Sequence, residues 1–168
     1  MVLKPDFTVR SVCELVPATL ERYGVRALLV DLDDTLVASG SADLATPFQS
    51  WVESLKVQRV PVVILSNGKP ERVRLWSQTL GVPGFSLTGK PFGFAYRRGL
   101  RALGTSAHET AMVGDQLFTD ILGANLAGLT SILVTPLSSG GLPHTRLARR
   151  LEAVILKGGP GGRSLYWG

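Results

Sequence analysis

Short apolar runs alternate with amphipathic helical patterns along most of this chain, and that alternation leaves few folds open. Arg26–Asp31 reads as a strand, Pro47–Gln58 as a helix, Pro61–Leu65 as a strand and Pro70–Leu80 as a helix. Phe85–Leu87 reads as a short third strand and Pro91–Leu103 as the helix after it. Thr110–Gly114 is a fourth strand, Leu117–Ala127 a helix and Ser131–Thr135 a fifth strand. Phe48, Trp51, Val52 and Leu55 fall on one helical stripe, as do Val73, Leu75, Trp76 and Leu80, while Gly81, Gly104 and Gly128 stop their helices. This order predicts an α/β fold: a doubly wound parallel sheet with helices on both faces, in three layers α/β/α. Ligands bind such sheets outside the carboxyl ends of the strands, near the point where strand order reverses.

The chemistry of the sequence gathers at those ends. Asp31-Leu32-Asp33-Asp34-Thr35 follows the first strand, with three carboxylates within four residues. They repel one another at the end of a buried strand unless a cation holds them. Capping of the next helix needs one Asp, not three. Asp31, already ionised at neutral pH, suits a nucleophile toward phosphorus, and Asp33 suits a general acid and base. Ser66-Asn67-Gly68 follows the second strand and offers a hydroxyl and amides for phosphoryl oxygens. Taken alone it is an ordinary turn. Lys90 follows the third strand and supplies a compact positive charge. Gly114-Asp115 follows the fourth, with Asp120 five residues on. Asp31, Asp33 and Asp115 are the expected ligands of a hard divalent cation, with Thr35 in support, while Asp120 alone reads equally well as a solvated helix residue. Asp115 as a helix cap and Lys90 as a surface lysine are the bland alternatives; the order acid, hydroxyl, amine, acid at successive strand ends favours a joint site.

Bulk properties narrow the classes. The 168 residues, 45% of them hydrophobic, suit one compact domain. The single cysteine, Cys13, excludes an intrachain disulfide, and with only His108 and His144 beside it a cysteine-based zinc site is excluded too. A net charge of +5 favours anionic partners. Met1–Arg10 has no long apolar run, so neither a signal peptide nor a membrane span is expected, and a cytoplasmic setting fits, with any membrane contact peripheral at the inner face.

The order of these residues resembles the haloacid dehalogenase superfamily of phosphotransferases, whose pattern runs Asp-x-Asp-x-Thr, Ser or Thr, Lys, then an acidic Gly-Asp segment. The resemblance spans about residues 25 to 135. It implies a Rossmann-like core, a Mg²⁺ cofactor and an aspartyl-phosphate on Asp31. It implies Asp33 as acid and base, Ser66 (with Asn67) and Lys90 on the phosphate, Asp115 as a metal ligand and Asp120 as a supporting acid. Gly114-Asp115-Gln116-Leu117-Phe118-Thr119-Asp120 is similar to subfamily IIIA, and Leu3-Lys4-Pro5-Asp6 to the bacterial YqeG-type phosphatases, relatives of mitochondrial phosphatidylglycerophosphatase. Asp34 departs from the pattern, where an Asn is more familiar.

Neither Leu36–Thr46 nor Thr88-Gly89 has room for a cap domain, so an open site is expected, suited to a large or surface-bound phosphomonoester. The resemblance makes phosphatidylglycerophosphate the leading substrate; soluble sugar phosphates, nucleotides or nucleic-acid ends are the alternative. A receiver-like regulatory module is the competitor from another class. The whole chain reads as one phosphatase domain: a helical lead-in over 5–24, with Ser11–Leu20 helical, a catalytic core over 25–135, an amphipathic helix over about 142–157 and a glycine-rich flexible tail over 158–168. Leu147, Leu151, Val154 and Ile155 line that last helix, with Arg146, Arg149 and Arg150 nearby, so it either packs on the core or lies on an acidic membrane. The expected partners are thus a phosphorylated substrate and lipid at an acidic surface; nucleic acid is not expected, and an oligomer is left open.

Overall fold

The computed structural model describes residues 2–43 and 46–138. Six strands form one sheet: β1 (Phe7–Val9), β2 (Ala27–Val30), β3 (Val62–Leu65), β4 (Gly84–Phe85), β5 (Thr110–Gly114) and β6 (Thr130–Val134). Every pairing is parallel and the order is β1-β6-β5-β2-β3-β4. The chain winds outward from β2 in both directions, so strand order reverses between β2 and β5. That places the crevice of a doubly wound sheet at their carboxyl ends.

Among the described residues five α-helices cover the sheet: α1 (Pro17–Arg22), α2 (Thr46–Val57), α3 (Pro70–Leu80), α4 (Gly93–Leu103) and α5 (Leu122–Ala127). The strands β2, β3 and β5 are buried along their whole length, as strands covered on both faces must be. Leu28, Val30, Ile64 and Val113 pack toward Leu20, Trp51, Leu55 and Trp76 of α1, α2 and α3. Leu29, Val63, Leu65 and Met112 pack toward Ala95, Tyr96 and Ala124 of α4 and α5. Successive residues of β2 thus feed opposite cores, which is the period-two alternation of a strand seen from both sides. The predicted three layers are present, and the described connections after β2 and β4 hold no cap domain.

The lead-in over 5–24 is not the helical segment the pattern predicts. Phe7–Val9 is an edge strand beside β6, a short 3-10 turn follows at Val12–Glu14, and only Pro17–Arg22 is α-helical. Phe-Thr-Val favours a strand once an edge is available, but three residues are too few to announce it. Asp6 fixes the register: its carboxylate accepts from the Ser131 amide (2.9 Å) and hydroxyl (3.2 Å), and its own amide donates to Ser131.

Two other segments differ. β4 ends at Phe85 rather than Leu87, because the chain leaves the sheet there and the Leu87 amide donates to Gly68. The helix expected over Leu117–Ala127 opens as a π-helical turn, Leu117–Ile121, before α5. The expected helix over 142–157 and tail over 158–168 lie outside the described residues. Among the described residues no helix is long and apolar enough to cross a membrane.

Asp6→Ala should cost about 1 kcal/mol of stability through the lost hydrogen bonds to Ser131. Amide exchange should speed up at Phe7–Val9 while the β2 and β5 amides stay protected.

Candidate active site

The segments named from the sequence converge at the carboxyl ends of β2, β3 and β5. Asp31 ends β2, and Lys90 reaches it from the β4–α4 crossover. The Lys90 ammonium sits 2.7 Å from Asp31 Oδ1 and 2.7 Å from Asp120 Oδ1, and all three groups are buried. A buried ammonium is stable only where acids match it. Burial alone would lower Lys90, but Asp120 and Asp31 outweigh it and hold it protonated, above its ordinary value. Burial pushes Asp31 the other way, up to about 6, against the pull of Lys90.

Asp115, at the end of β5, completes the acidic side. Carboxylate oxygens of Asp31, Asp115 and Asp120 all lie within 4.8 Å of one another. The Thr35 hydroxyl reaches Asp115 Oδ1 at 3.5 Å, a long contact. Among the described residues, three buried carboxylates gather around the Lys90 ammonium. Such an all-oxygen donor set, short of positive charge, fits a hard divalent cation.

The other half of the crevice belongs to β3. Ser66 Oγ accepts from the Gly68 amide (2.9 Å), which leaves its hydroxyl hydrogen to donate outward. A Cβ at Gly68 would come within 3.1 Å of Ser66 Oγ and 3.3 Å of Asp33 Oδ2, so Asp33 and Ser66 face the same small space. The Asn67 side chain turns to the loop that carries Lys90. Its Oδ1 accepts from the Lys90 amide (2.9 Å) and the Thr88 hydroxyl (3.0 Å), and its Nδ2 donates to the Lys90 carbonyl (3.0 Å). Asn67 therefore clamps the loop that delivers Lys90.

The three neighbouring acids part company. Asp33, an expected metal ligand, pairs its Oδ1 with Arg72 Nε at 2.6 Å, and the carboxylate of Asp120 is the one that lies with those of Asp31 and Asp115. Burial raises the Asp33 carboxyl, and Arg72 opposes the rise. Asp34, the departure from the family pattern, takes a left-handed backbone (φ 63°), which Asp tolerates better than most residues. Its Oδ1 accepts from Ser39 N (3.0 Å), Ser138 N (3.2 Å) and the Ser138 hydroxyl (2.5 Å), tying this loop to the segment after β6.

Arg72 escaped the sequence reading. Its guanidinium also donates to the Ser41 carbonyl (2.8 Å) and the Ala38 carbonyl (3.2 Å), so it braces the whole loop after β2. One signal was there: a cation in the first turn of α3 opposes the helix dipole and calls for an acid nearby. Tyr96 also went unnoticed. Its hydroxyl donates to the Thr119 carbonyl (2.6 Å), holding the π-helical turn that carries Asp120. π-turns recur at functional positions. A surface groove lined by Val16, Glu21, Arg26, Gln58 and Arg59 opens at the amino ends of the strands, away from these acids.

Comparisons with known proteins agree with the geometry. A family model described as HAD-hydrolase-like matches residues 87–141. The probable phosphatase YqeG of Bacillus subtilis (strain 168) is 35% identical over 152 residues, covering 90% of this chain and 88% of its own. The chloroplastic/mitochondrial phosphatidylglycerophosphate phosphatase 1 of Arabidopsis thaliana is 28% identical over 91% of this chain, which spans 47% of that protein. The cobalt-bound deoxy-D-mannose-octulosonate 8-phosphate phosphatase of Haemophilus influenzae shares the fold, with a TM-score of 0.55, 17% identity, and coverage of 83% of this chain and 90% of that one.

Gly114 leaves room for the acid behind it, since a Cβ there would overlap the Asp120 carboxylate. Gly114→Ala should therefore displace Asp120 from Lys90. The expected outcome is a fall in turnover of about tenfold or more, with a stability loss of about 1–3 kcal/mol, read by phosphate release and thermal melting.

Proposed function

The chain belongs to the haloacid dehalogenase-like superfamily, with the YqeG-type phosphatases, and is a phosphoric monoester hydrolase; from that premise we propose the roles of its residues and its substrate. Asp31 is the nucleophile. Its carboxylate attacks phosphorus, the bond from phosphorus to the ester oxygen breaks, and that oxygen takes a proton from the Asp33 carboxyl. Water then attacks the phosphorus of the aspartyl-phosphate and gives a proton back to Asp33. The bond to Asp31 breaks and inorganic phosphate leaves.

The remaining residues hold this sequence of events in place. The Ser66 hydroxyl donates to a phosphoryl oxygen, and Lys90 offsets the charge of the nucleophile and the phosphoryl group. Arg72 aims Asp33, and partial burial favours the protonated form that the first step requires. Asn67 and Thr35 position Lys90 and Asp115. Phosphatases of this superfamily generally use Mg²⁺, and Asp31, Asp115 and Asp120 would hold it here, where it supplies charge for the transferring phosphoryl group. The observation that carries the reading is the meeting of buried Asp31, Asp115, Asp120 and Lys90 at the point where strand order reverses.

For the substrate we propose phosphatidylglycerophosphate. Support comes from the 28% identity to the Arabidopsis lipid phosphatase across 91% of this chain, from connections without a cap domain, and from a net charge of +5. An open crevice on a chain of positive net charge suits a headgroup presented at a surface better than a small molecule that must be enclosed.

Asp31→Asn should lower turnover of p-nitrophenyl phosphate by about a thousandfold or more while circular dichroism stays unchanged. Activity that survives the substitution would remove Asp31 as nucleophile. Chelation of divalent cations should abolish phosphate release, and added Mg²⁺ should restore it. Phosphatidylglycerophosphate in mixed micelles should be hydrolysed faster than sugar phosphates or nucleotides; the reverse order would assign a soluble substrate.

A further inference from the structure

The crossover from β4 to α4, residues 86–92, carries chemistry inward and apolar surface outward. Lys90 is 5% exposed, yet Leu87 is 67%, Phe92 64% and Phe94 55% exposed. The Phe92 and Phe94 rings lie nearly parallel, with centroids 6.1 Å apart and 10° between planes. Leu87 takes a left-handed backbone, φ 47°, where a bulky side chain is strained and glycine or asparagine would be relaxed. Scattered exposed apolar residues need no explanation, but three within eight residues on the rim of a reactive crevice do. Water does not reward an apolar side chain held there against backbone preference; an apolar phase does.

The charge around the rim says which apolar phase. From Gly84 to Gly104 the chain holds four basic residues, Lys90, Arg97, Arg98 and Arg101, and no acid. With Lys90 buried, Arg97 and Arg98 stand exposed in the first turns of α4, next to the rim, and Arg98 also stacks on the Phe85 ring at 4.2 Å. Exposed aromatic and aliphatic side chains flanked by arginines match the interface of a bilayer carrying anionic headgroups. The rim is also rigidly joined to the reactive centre. Asn67 grips the Lys90 backbone on both sides, and the Phe92 amide donates to the Gly89 carbonyl at 2.9 Å.

We propose that this rim is the membrane-docking surface of the enzyme: Leu87, Phe92 and Phe94 enter the interface of an anionic bilayer, Arg97 and Arg98 meet its headgroups, and the crevice at Lys90 opens toward the lipid phosphates. The proposal rests on the lipid-phosphate reading above and adds the face on which the substrate is presented.

The test uses the full chain and the double variant Leu87→Asn with Phe92→Ser. Asparagine accepts the left-handed backbone, and Phe92 serves the loop through its amide, which serine keeps. Wild-type protein should co-sediment with phosphatidylglycerol vesicles, bind phosphatidylcholine vesicles far less, and release the former as salt rises. The double variant should lose about tenfold or more in vesicle affinity and fall likewise on phosphatidylglycerophosphate held in vesicles, while hydrolysing p-nitrophenyl phosphate at the wild-type rate. Wild-type protein that ignores anionic vesicles, or a variant that binds them equally well, overturns the proposal. So does a variant that changes from dimer to monomer with its vesicle affinity intact, which would assign the rim to a second copy of the chain. The arms are separable: failure to hydrolyse any phosphomonoester strikes the catalytic reading, whereas vesicle binding without dependence on Leu87 and Phe92 strikes only the docking surface.

Discussion

The Lys90 ammonium, closed in between Asp31 and Asp120, is the interaction on which the rest of the crevice depends. A buried charge left unmatched is strongly destabilising, so the fold must bring three separate crossovers to one point and keep them there. Asp31 arrives from β2, Asp120 from the turn after β5 and Lys90 from the loop after β4. Asn67 from β3 and Tyr96 from α4 fasten two of those arrivals by their backbones. Burial raises the Asp31 carboxyl against the pull of Lys90, and the neighbouring Asp120 adds to the rise. The site is therefore stable enough to form and still attractive to a cation and a phosphoryl group.

The loop after β2 solves its charge problem by giving each acid its own partner. Asp31 faces Lys90, Asp33 faces Arg72, and Asp34 turns back to the Ser39 and Ser138 groups. The repulsion expected among three carboxylates is thus eased by distributing them over three directions, although, after burial, Asp31 and Asp34 still raise the Asp33 carboxyl. Asp34 has no place among the clustered metal-type ligands; it clasps the loop from the far side.

Much of this was legible in the chain because two independent signals pointed to the same places. Hydrophobic periodicity located the core strands and their covering helices, and residues 31, 33, 66, 90, 115 and 120 all fell just after a predicted strand. Local cues ran out where tertiary pairing decides. Phe7–Val9 becomes a strand only because β6 offers an edge and Asp6 finds Ser131. The π-turn at Leu117–Ile121 reads as plain helix until Asp120 must point back to Lys90. That Asp33 pairs with Arg72 while Asp120 stands with Asp31 depends on where α3 and the turn after β5 lie in three dimensions, which local sequence does not specify.

Tyr96 and Gly123 carry one more consequence. A Cβ at position 123 would overlap the Tyr96 ring, so α5 approaches α4 only because that side chain is missing. The two positions divide a single parcel of volume. Among relatives of this chain they should covary: a smaller residue at 96 would license a larger one at 123, and neither should drift while the other stands still.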